Sequence, residues 1–279
     1  MFKLSRSFQR DSEHGASLPQ VYKAFKDIHL YRGDVVMMAG PPGAGKSALA
    51  TNLALSMRVP TLYVSCDMGP TTFLHRAAAI HTTTKLDEVR REPDRYLKDM
   101  EAVDHLYVTY PSRPDAEGIA RAQMAFQEIH GLPSDIMVVD NLMNLTSGAK
   151  DEWTGLRELS QVMHYLATEL QIVVLLLHHL NLGGLDLRYP APLNAIKGQV
   201  TELPAVVLTL AKGDGVLYAA PVKNRHGKAD PSGKTYVSLD YSEETQKISD
   251  PVPNPTPQPA PRKTGLEIPD WFSRAIKDD

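Results

Sequence analysis

A chain of 279 residues with 42% hydrophobic and 23% charged side chains suits one α/β domain plus tails, and it is long enough to bury a large core. A net charge of −3 excludes a general polyelectrolyte binder, so any nucleic-acid surface must be local. One cysteine, Cys66, excludes an internal disulfide framework and fits a reducing cytoplasm; no apolar run approaches the roughly 18 residues of a membrane span, and residues 1–6 lack the apolar segment of a signal peptide.

Residues 1–16 are polar with mixed charge and read as a flexible arm. Residues 17–29 predict a short helix after Pro19, with Val21, Tyr22, Phe25 and Ile28 on its apolar face. An apolar strand over 34–39 then runs into Gly40-Pro41-Pro42-Gly43-Ala44-Gly45-Lys46-Ser47, a match to G-x-x-x-x-G-K-[ST], and a helix-favouring run over 48–57 follows. The strand–loop–helix context gives this phosphate-binding motif its meaning. The glycines let the backbone N–H groups face phosphates, and the helix N-terminus adds positive dipole. Residues Gly40 to Ala48 are the nucleotide-binding candidates, with Lys46 reaching the β- and γ-phosphates and Ser47 holding Mg²⁺.

A second strand over 61–67 ends in the acid Asp67, and Gly69-Pro70 opens a helix to about residue 80. A charged helical stretch over 85–102 is interrupted at Pro93. A strand covers 105–110, and a helix over 115–130 carries Ile119, Ala122, Met124, Phe126 and Ile129 partly in register. The strand over 135–141 ends in Asp140. After a polar loop comes an amphipathic helix with Leu156, Leu159, Val162, Met163, Leu166 and Leu170 on one side. The most apolar strand, over 171–179, ends in His178-His179, and a long loop covers 180–194. Three further β candidates lie at 205–210, 216–222 and 235–239. This order predicts an α/β fold: a mostly parallel sheet flanked by helices, finished by antiparallel strands. From Pro251 to Pro261 every second residue is proline, an extended spacer of roughly 3.1 Å per residue. The expected division is an arm (1–16), an ATPase domain (17–245), a proline-rich linker (246–265) and a docking peptide (266–279) carrying Ile268, Trp271, Phe272 and Ile276.

An NTPase needs a second acid on Mg²⁺, a group that orients water and a sensor of the γ-phosphate. Asp140 ends a run of four apolar residues at a strand's C-terminal end, the edge where such sheets bind ligands; a simple strand-end cap is the plainer alternative. Asp67 could orient or deprotonate water, or be a solvated strand-end acid. His178 and His179 face opposite sides of a strand and so do not suit one shared metal, but a strand-end His can report nucleotide state. Lys223-Asn224-Arg225-His226-Gly227 sets two cations two residues apart, able to aim at one anion, although a basic hairpin turn would look the same.

Taken in order, these pieces resemble the RecA-like ATPase domain of DnaB-type replicative helicases, over residues 17–240. Ser65-Cys66-Asp67-Met68 matches the family's S-L-E-M, and Val138-Val139-Asp140-Asn141-Leu142 its Walker B run. His178-His179-Leu180-Asn181 matches its S-Q-L-N, and residues 223–227 its K-x-R-x-G. KaiC-like and RecA- or RadA-like proteins share most of this set. The resemblance implies an ATP-dependent DNA helicase of replication that uses ATP and Mg²⁺ and assembles as a homo-oligomer, a hexameric ring, in the host cytoplasm if phage-encoded. It implies catalytic roles for Lys46, Asp67, Asp140 and His179, Mg²⁺ on Ser47 and Asp140, and Arg225 with Lys223 acting in trans on a neighbour's nucleotide. It also implies that loops 144–151 and 182–188 meet single-stranded DNA, with Lys150, Arg188 and Lys197 as the available cations, and the tail peptide would dock a replication partner. The departures are Asp67 for the family's Glu, His179 for its Gln, a loose match over 194–199, and no counterpart of the primase-binding N-terminal domain, as in phage-type relatives. Two other readings stand beside the helicase: a RecA-like recombinase or annealing ATPase forming filaments, and a regulatory or loader-type ATP-binding protein of low turnover.

Overall fold

Apolar runs bounded by acids and glycines become the strands of a nine-stranded sheet in the order β3-β2-β4-β5-β1-β6-β7-β8-β9. The computed structural model describes residues 17–252, apart from 182, 184 and 185. The strands are β1 (Val35–Ala39), β2 (Thr61–Ser65), β3 (Leu106–Thr109), β4 (Ile136–Asp140), β5 (Val173–His178), β6 (Val206–Gly213), β7 (Val216–Asn224), β8 (Val237–Tyr241) and β9 (Ile248–Ser249). From β3 across to β6 the pairing is parallel, and from β6 to β9 it is antiparallel. Every residue of β1, β2, β4 and β5 is buried, as expected when helices cover both faces of a parallel sheet.

Helices α1 (Lys46–Met57) and α2 (Pro70–Thr82) cover one face, where Leu49, Leu53, Phe73 and Ile80 meet Val36, Val138 and Leu175. Two short helices, α3 (Leu86–Arg91) and α4 (Leu97–Glu101), flank a 3₁₀ turn at Pro93–Tyr96, so the proline interrupts the charged stretch as its missing N–H requires. On the other face lie α5 (Ala116–His130) and α6 (Glu152–Leu170), whose Ile119, Phe126, Leu156, Leu159 and Met163 meet Met37, Val139 and Leu176. The chain leaves β1 through α1 and re-enters the sheet at β2, beyond β5 and β4. That reversal opens a crevice at the C-terminal ends of the strands, where α/β sheets bind ligands.

Several expectations shift in extent. Residues 17–29 form only a 3₁₀ turn at Lys23–Phe25. Tyr22, Phe25 and Ile28 are buried as expected, but the backbone is held by Leu18 N–H to Leu30 O and by the Asp250 carboxylate, which accepts from the Lys23 and Ala24 N–H groups at 2.9 Å each. On α5 the period that packs is Ile119, Gln123 and Phe126, while Met124 and Ile129 are 67% and 75% exposed. The buried Gln123 accepts a hydrogen bond from Ser134 Oγ at 2.9 Å, which lets a polar residue occupy a core position. The fold also runs past the expected boundary at 245. Asn52, inside the buried α1, donates to Gln246 O at 2.9 Å and accepts from Ile248 N–H at 3.0 Å, so β9 is fastened over α1. The arm at 1–16, the proline spacer beyond 252 and the 266–279 peptide lie outside the described residues. Among the described residues no helix is long and apolar enough to cross a membrane.

Candidate nucleotide site

The P-loop leaves β1 at Gly40, whose N–H donates to His178 O at the end of β5. A Cβ on Gly40 would stand 3.0 Å from Ala44 Cβ and 3.1 Å from Leu210 O, so the loop needs glycine to lie against β6. Gly43 and Gly45 have φ of +78° and +85°, the left-handed region that glycine enters without cost. Gly45 is the N-cap of α1; it supplies no side-chain cap, and the first turn holds no acid. The opening N–H groups of α1 therefore meet no anionic or polar side chain of their own, and the space a Cβ would take at Gly43 has nothing within 4 Å. Such a cradle fits a phosphate. The Lys46 ammonium is buried and donates to Gly40 O at 2.8 Å and Pro41 O at 3.0 Å. Burial lowers its pKa, against the pull of Asp140 and Asp67.

Asp140 ends β4 and is 1% exposed. Burial raises its pKa, while hydrogen bonds from Ser47 and Tyr63 and the charge of Lys46 oppose that shift. The Tyr63 hydroxyl donates to Asp140 Oδ2 at 2.8 Å, and its ring meets Phe73 edge-on at 4.7 Å. Asp67 stands exposed just beyond β2, close enough to act on Lys46, Cys66 and Asp140. His178 is fully buried and donates from Nε2 to Lys197 O at 2.7 Å; burial pushes its pKa down to about 4. Half-buried His179 is also lowered, by burial first and then by Lys46. Lys46, Ser47, Asp67, Asp140 and His179 thus converge at one edge of the sheet.

Lys223 and Arg225 lie elsewhere. β7 runs antiparallel to β6, so its end returns to the opposite edge: Arg225 N–H donates to Ala205 O, and Ala205 N–H to Val35 O, each at 2.9 Å. Arg225 is therefore level with Val35, five residues before Gly40, or about 16 Å along the strand direction at ~3.3 Å per residue. Lys223 Nζ donates to Thr201 O at 2.6 Å and Glu202 O at 2.8 Å, and Arg225 donates to Glu202 O at 2.9 Å. Burial and then the Arg225 charge lower the Lys223 pKa. The turn is anchored by Asn224, which donates to Asp27 O at 3.1 Å, and by the His226 ring, which packs on Tyr31 at 4.4 Å and hydrogen-bonds Asp34.

A family model described as an AAA domain matches residues 3–184. The chain belongs to the AAA domain family. It is 34% identical over 251 residues to the Gene 65 protein of Mycobacterium phage L5, covering 85% of this chain and 94% of that protein. It is 25% identical over 237 residues to a probable plasmid replicative DNA helicase of Chlamydia psittaci, covering 75% of this chain and 51% of that protein. Among solved structures, a DnaB-like replicative helicase matches with a TM-score of 0.75 at 17% identity, over 89% of this chain and 68% of that one. The ATPase domain of the G40P protein matches with 0.73 at 16% identity, over 89% of this chain and 97% of that one. The fold is thus that of the ATPase domains of DnaB-type helicases, and this AAA domain is an ATPase.

The expected DNA-facing cations of this AAA domain are dispersed and mostly paired. Lys150 is exposed, Lys197 meets Glu152 at 2.8 Å, and Arg188 meets Asp186 at 2.8 Å. Positions 182, 184 and 185 of the second loop lie outside the described residues. The sequence reading missed Tyr63, the hydrogen-bond donor to Asp140. Its signal was a polar-tipped ring in the strand that pairs directly with the Walker B strand. It also missed the 3₁₀ segments at Leu193–Ala195 and Lys197–Gln199, which bind the end of β5 through Asn181 N–H to Ala195 O and Lys197 N–H to His179 O.

Proposed function

We propose that this ATPase is a replicative DNA helicase motor of DnaB type, in which copies assemble in a ring, hydrolyse ATP between subunits and move along single-stranded DNA. One observation carries the reading. The phosphate cradle lies at the C-terminal ends of the parallel strands and the Lys223/Arg225 pair is held toward the opposite ends, which supports a role for the pair in another copy's site. In the proposed reaction the Lys46 ammonium exchanges its carbonyl partners for the β- and γ-phosphates of ATP. The exposed Asp67 carboxylate orients the attacking water and takes its proton, and His179 contacts the γ-phosphate side. Arg225 of the adjacent copy, with Lys223 as its partner cation, meets the charge that develops on the transferred phosphoryl group. Ser47 and Asp140 fit Mg²⁺, an oxygen-ligand ion that would neutralise phosphate charge there. The exposed Lys150 and the cations Arg188 and Lys197 would track the DNA backbone, which makes binding salt-dependent.

Mixing tests the interface. Arg225→Ala and Lys46→Ala subunits should each lack ATPase and regain part of it when combined, because a sound cradle then meets a sound cation. No recovery at any ratio refutes action in trans. Electron microscopy with a nonhydrolysable ATP analogue should show closed rings; open filaments would assign the same interface to a recombinase-like ATPase.

A further inference from the structure

Trp153 is the first large residue after the 144–151 loop, and its side chain is 50% exposed. It sits in the first turn of α6, fixed by the N-cap Asp151, which accepts from Thr154 N–H at 2.9 Å and Thr154 Oγ1 at 2.8 Å. The Arg157 guanidinium lies 4.8 Å from the indole centroid and is itself held by Glu202 at 3.6 Å. One face of the ring is therefore backed by a cation, which orients it. A Cβ on Gly155 would come within 2.2 Å of Ser147 Oγ. The glycine thus lets the loop lie flat on the helix, which holds the chain just before the indole in place. Lys150, three residues before Trp153 in sequence, is exposed, and Lys197 reaches Glu152 at 2.8 Å. Lys197 also joins the start of α6 to the nucleotide edge, because its carbonyl accepts from His178 Nε2 at 2.7 Å and its N–H donates to His179 O at 3.2 Å.

We infer that Trp153, backed by Arg157, is a base-stacking platform for single-stranded nucleic acid. The inference rests on the DNA-motor reading and adds to it an aromatic contact, where the sequence offered cations alone. A half-exposed indole on a helix, with Arg157 behind it and the exposed Lys150 three residues before it, suits a strand whose phosphates meet those cations and whose base lies on the ring. Every base has a π-face, so the contact tolerates any sequence.

The chain has two tryptophans, Trp153 and Trp271. Full-length Trp271→Phe protein therefore reports Trp153 emission alone. It is titrated with unlabelled oligo-dT while the anisotropy of a labelled oligo-dT reports binding independently. The indole emission should fall saturably with the same midpoint as the anisotropy rise. Trp153→Ala should weaken binding about 5- to 150-fold, with Trp153→Phe recovering most of the loss. Strand binding with steady emission and unchanged affinity in Trp153→Ala overturns the platform while leaving the motor reading standing. No anisotropy change overturns both. An emission change on adding an ATP analogue alone, with none on adding DNA, assigns the indole to a contact between copies and also overturns the platform.

Discussion

Lowering the pH from 7 to 5 should cost the folded protein about 2 kcal/mol through one side chain, His178. Its imidazole is fully buried, its Nε2 must carry the proton because Lys197 O can only accept, and its Nδ1 has no hydrogen-bond partner among the described residues. Burial holds its pKa at about 4, below the ordinary 6.5. A folded pKa depressed below the unfolded value means that the unfolded chain binds the proton more tightly. The contribution is therefore fully present above pH 6.5, declines as the pH falls toward 4, and is flat below. At ~1.4 kcal/mol per pKa unit the whole window is worth about 3 kcal/mol, of which about 2 is lost by pH 5. Urea unfolding of the wild type and of His178→Gln at the two pH values measures it. Glutamine keeps a donor for Lys197 O and does not titrate. The other ionisable groups are common to both proteins, so the difference between the two losses isolates His178. Equal losses in the two proteins would refute the buried neutral imidazole.

Asp140→Asn should abolish ATP hydrolysis, by at least about 100-fold, yet keep or raise the melting temperature, because it removes a buried charge whose pKa burial already raises; a clear fall in melting temperature would contradict this. Tyr63→Phe should destabilise by about 1–3 kcal/mol by removing the 2.8 Å hydrogen bond to the buried carboxylate. In an Asp140→Asn background the loss should shrink by about 1 kcal/mol, read from a double-mutant cycle of urea midpoints. Gly227→Ala places a Cβ 2.9 Å from Asn224 Nδ2 and 3.2 Å from Asp27 O, so the Asn224 amide that anchors the turn bearing Arg225 must shift. ATPase of the assembled protein should fall while binding of a fluorescent ATP analogue to Gly227→Ala is unchanged.

The parallel strands and the P-loop were legible because burial on both faces forces unbroken apolar runs and because phosphate contact demands glycine at fixed positions. The acids at 67 and 140 were legible for a related reason: an acid that ends an apolar run is conspicuous. What stayed hidden depends on partners distant in sequence. Residues 17–29 carry a helical pattern, yet Asp250 and Leu30 satisfy the backbone instead. The strand β9 is two residues long and owes its place to Asn52, which lies 196 positions from Ile248. Met124 and Ile129 show that an apolar residue on a helix is no proof of a core face. Tyr63 and Asp140 are 77 positions apart, and only strand pairing brings them together.

The segment from Leu193 to Glu202 gives the two sheet edges a material connection. At its middle it holds His178 and His179 through the Lys197 backbone, and at its end its carbonyls at Thr201 and Glu202 hold the Lys223 ammonium and the Arg225 guanidinium. A hydrogen bond from a cation to a neutral carbonyl is worth about 1.5–3 kcal/mol when water can replace it. Contact with a phosphate is charge-assisted on both sides and geometrically favoured by the guanidinium fork. The carbonyls of 201 and 202 therefore hold these cations in an exchangeable position. On the proposed reading, a neighbour's nucleotide draws Arg225 away from the very segment that reaches back to His179 in its own site. The coupling between adjacent sites would then run through ten residues that belong to neither the phosphate cradle nor the finger.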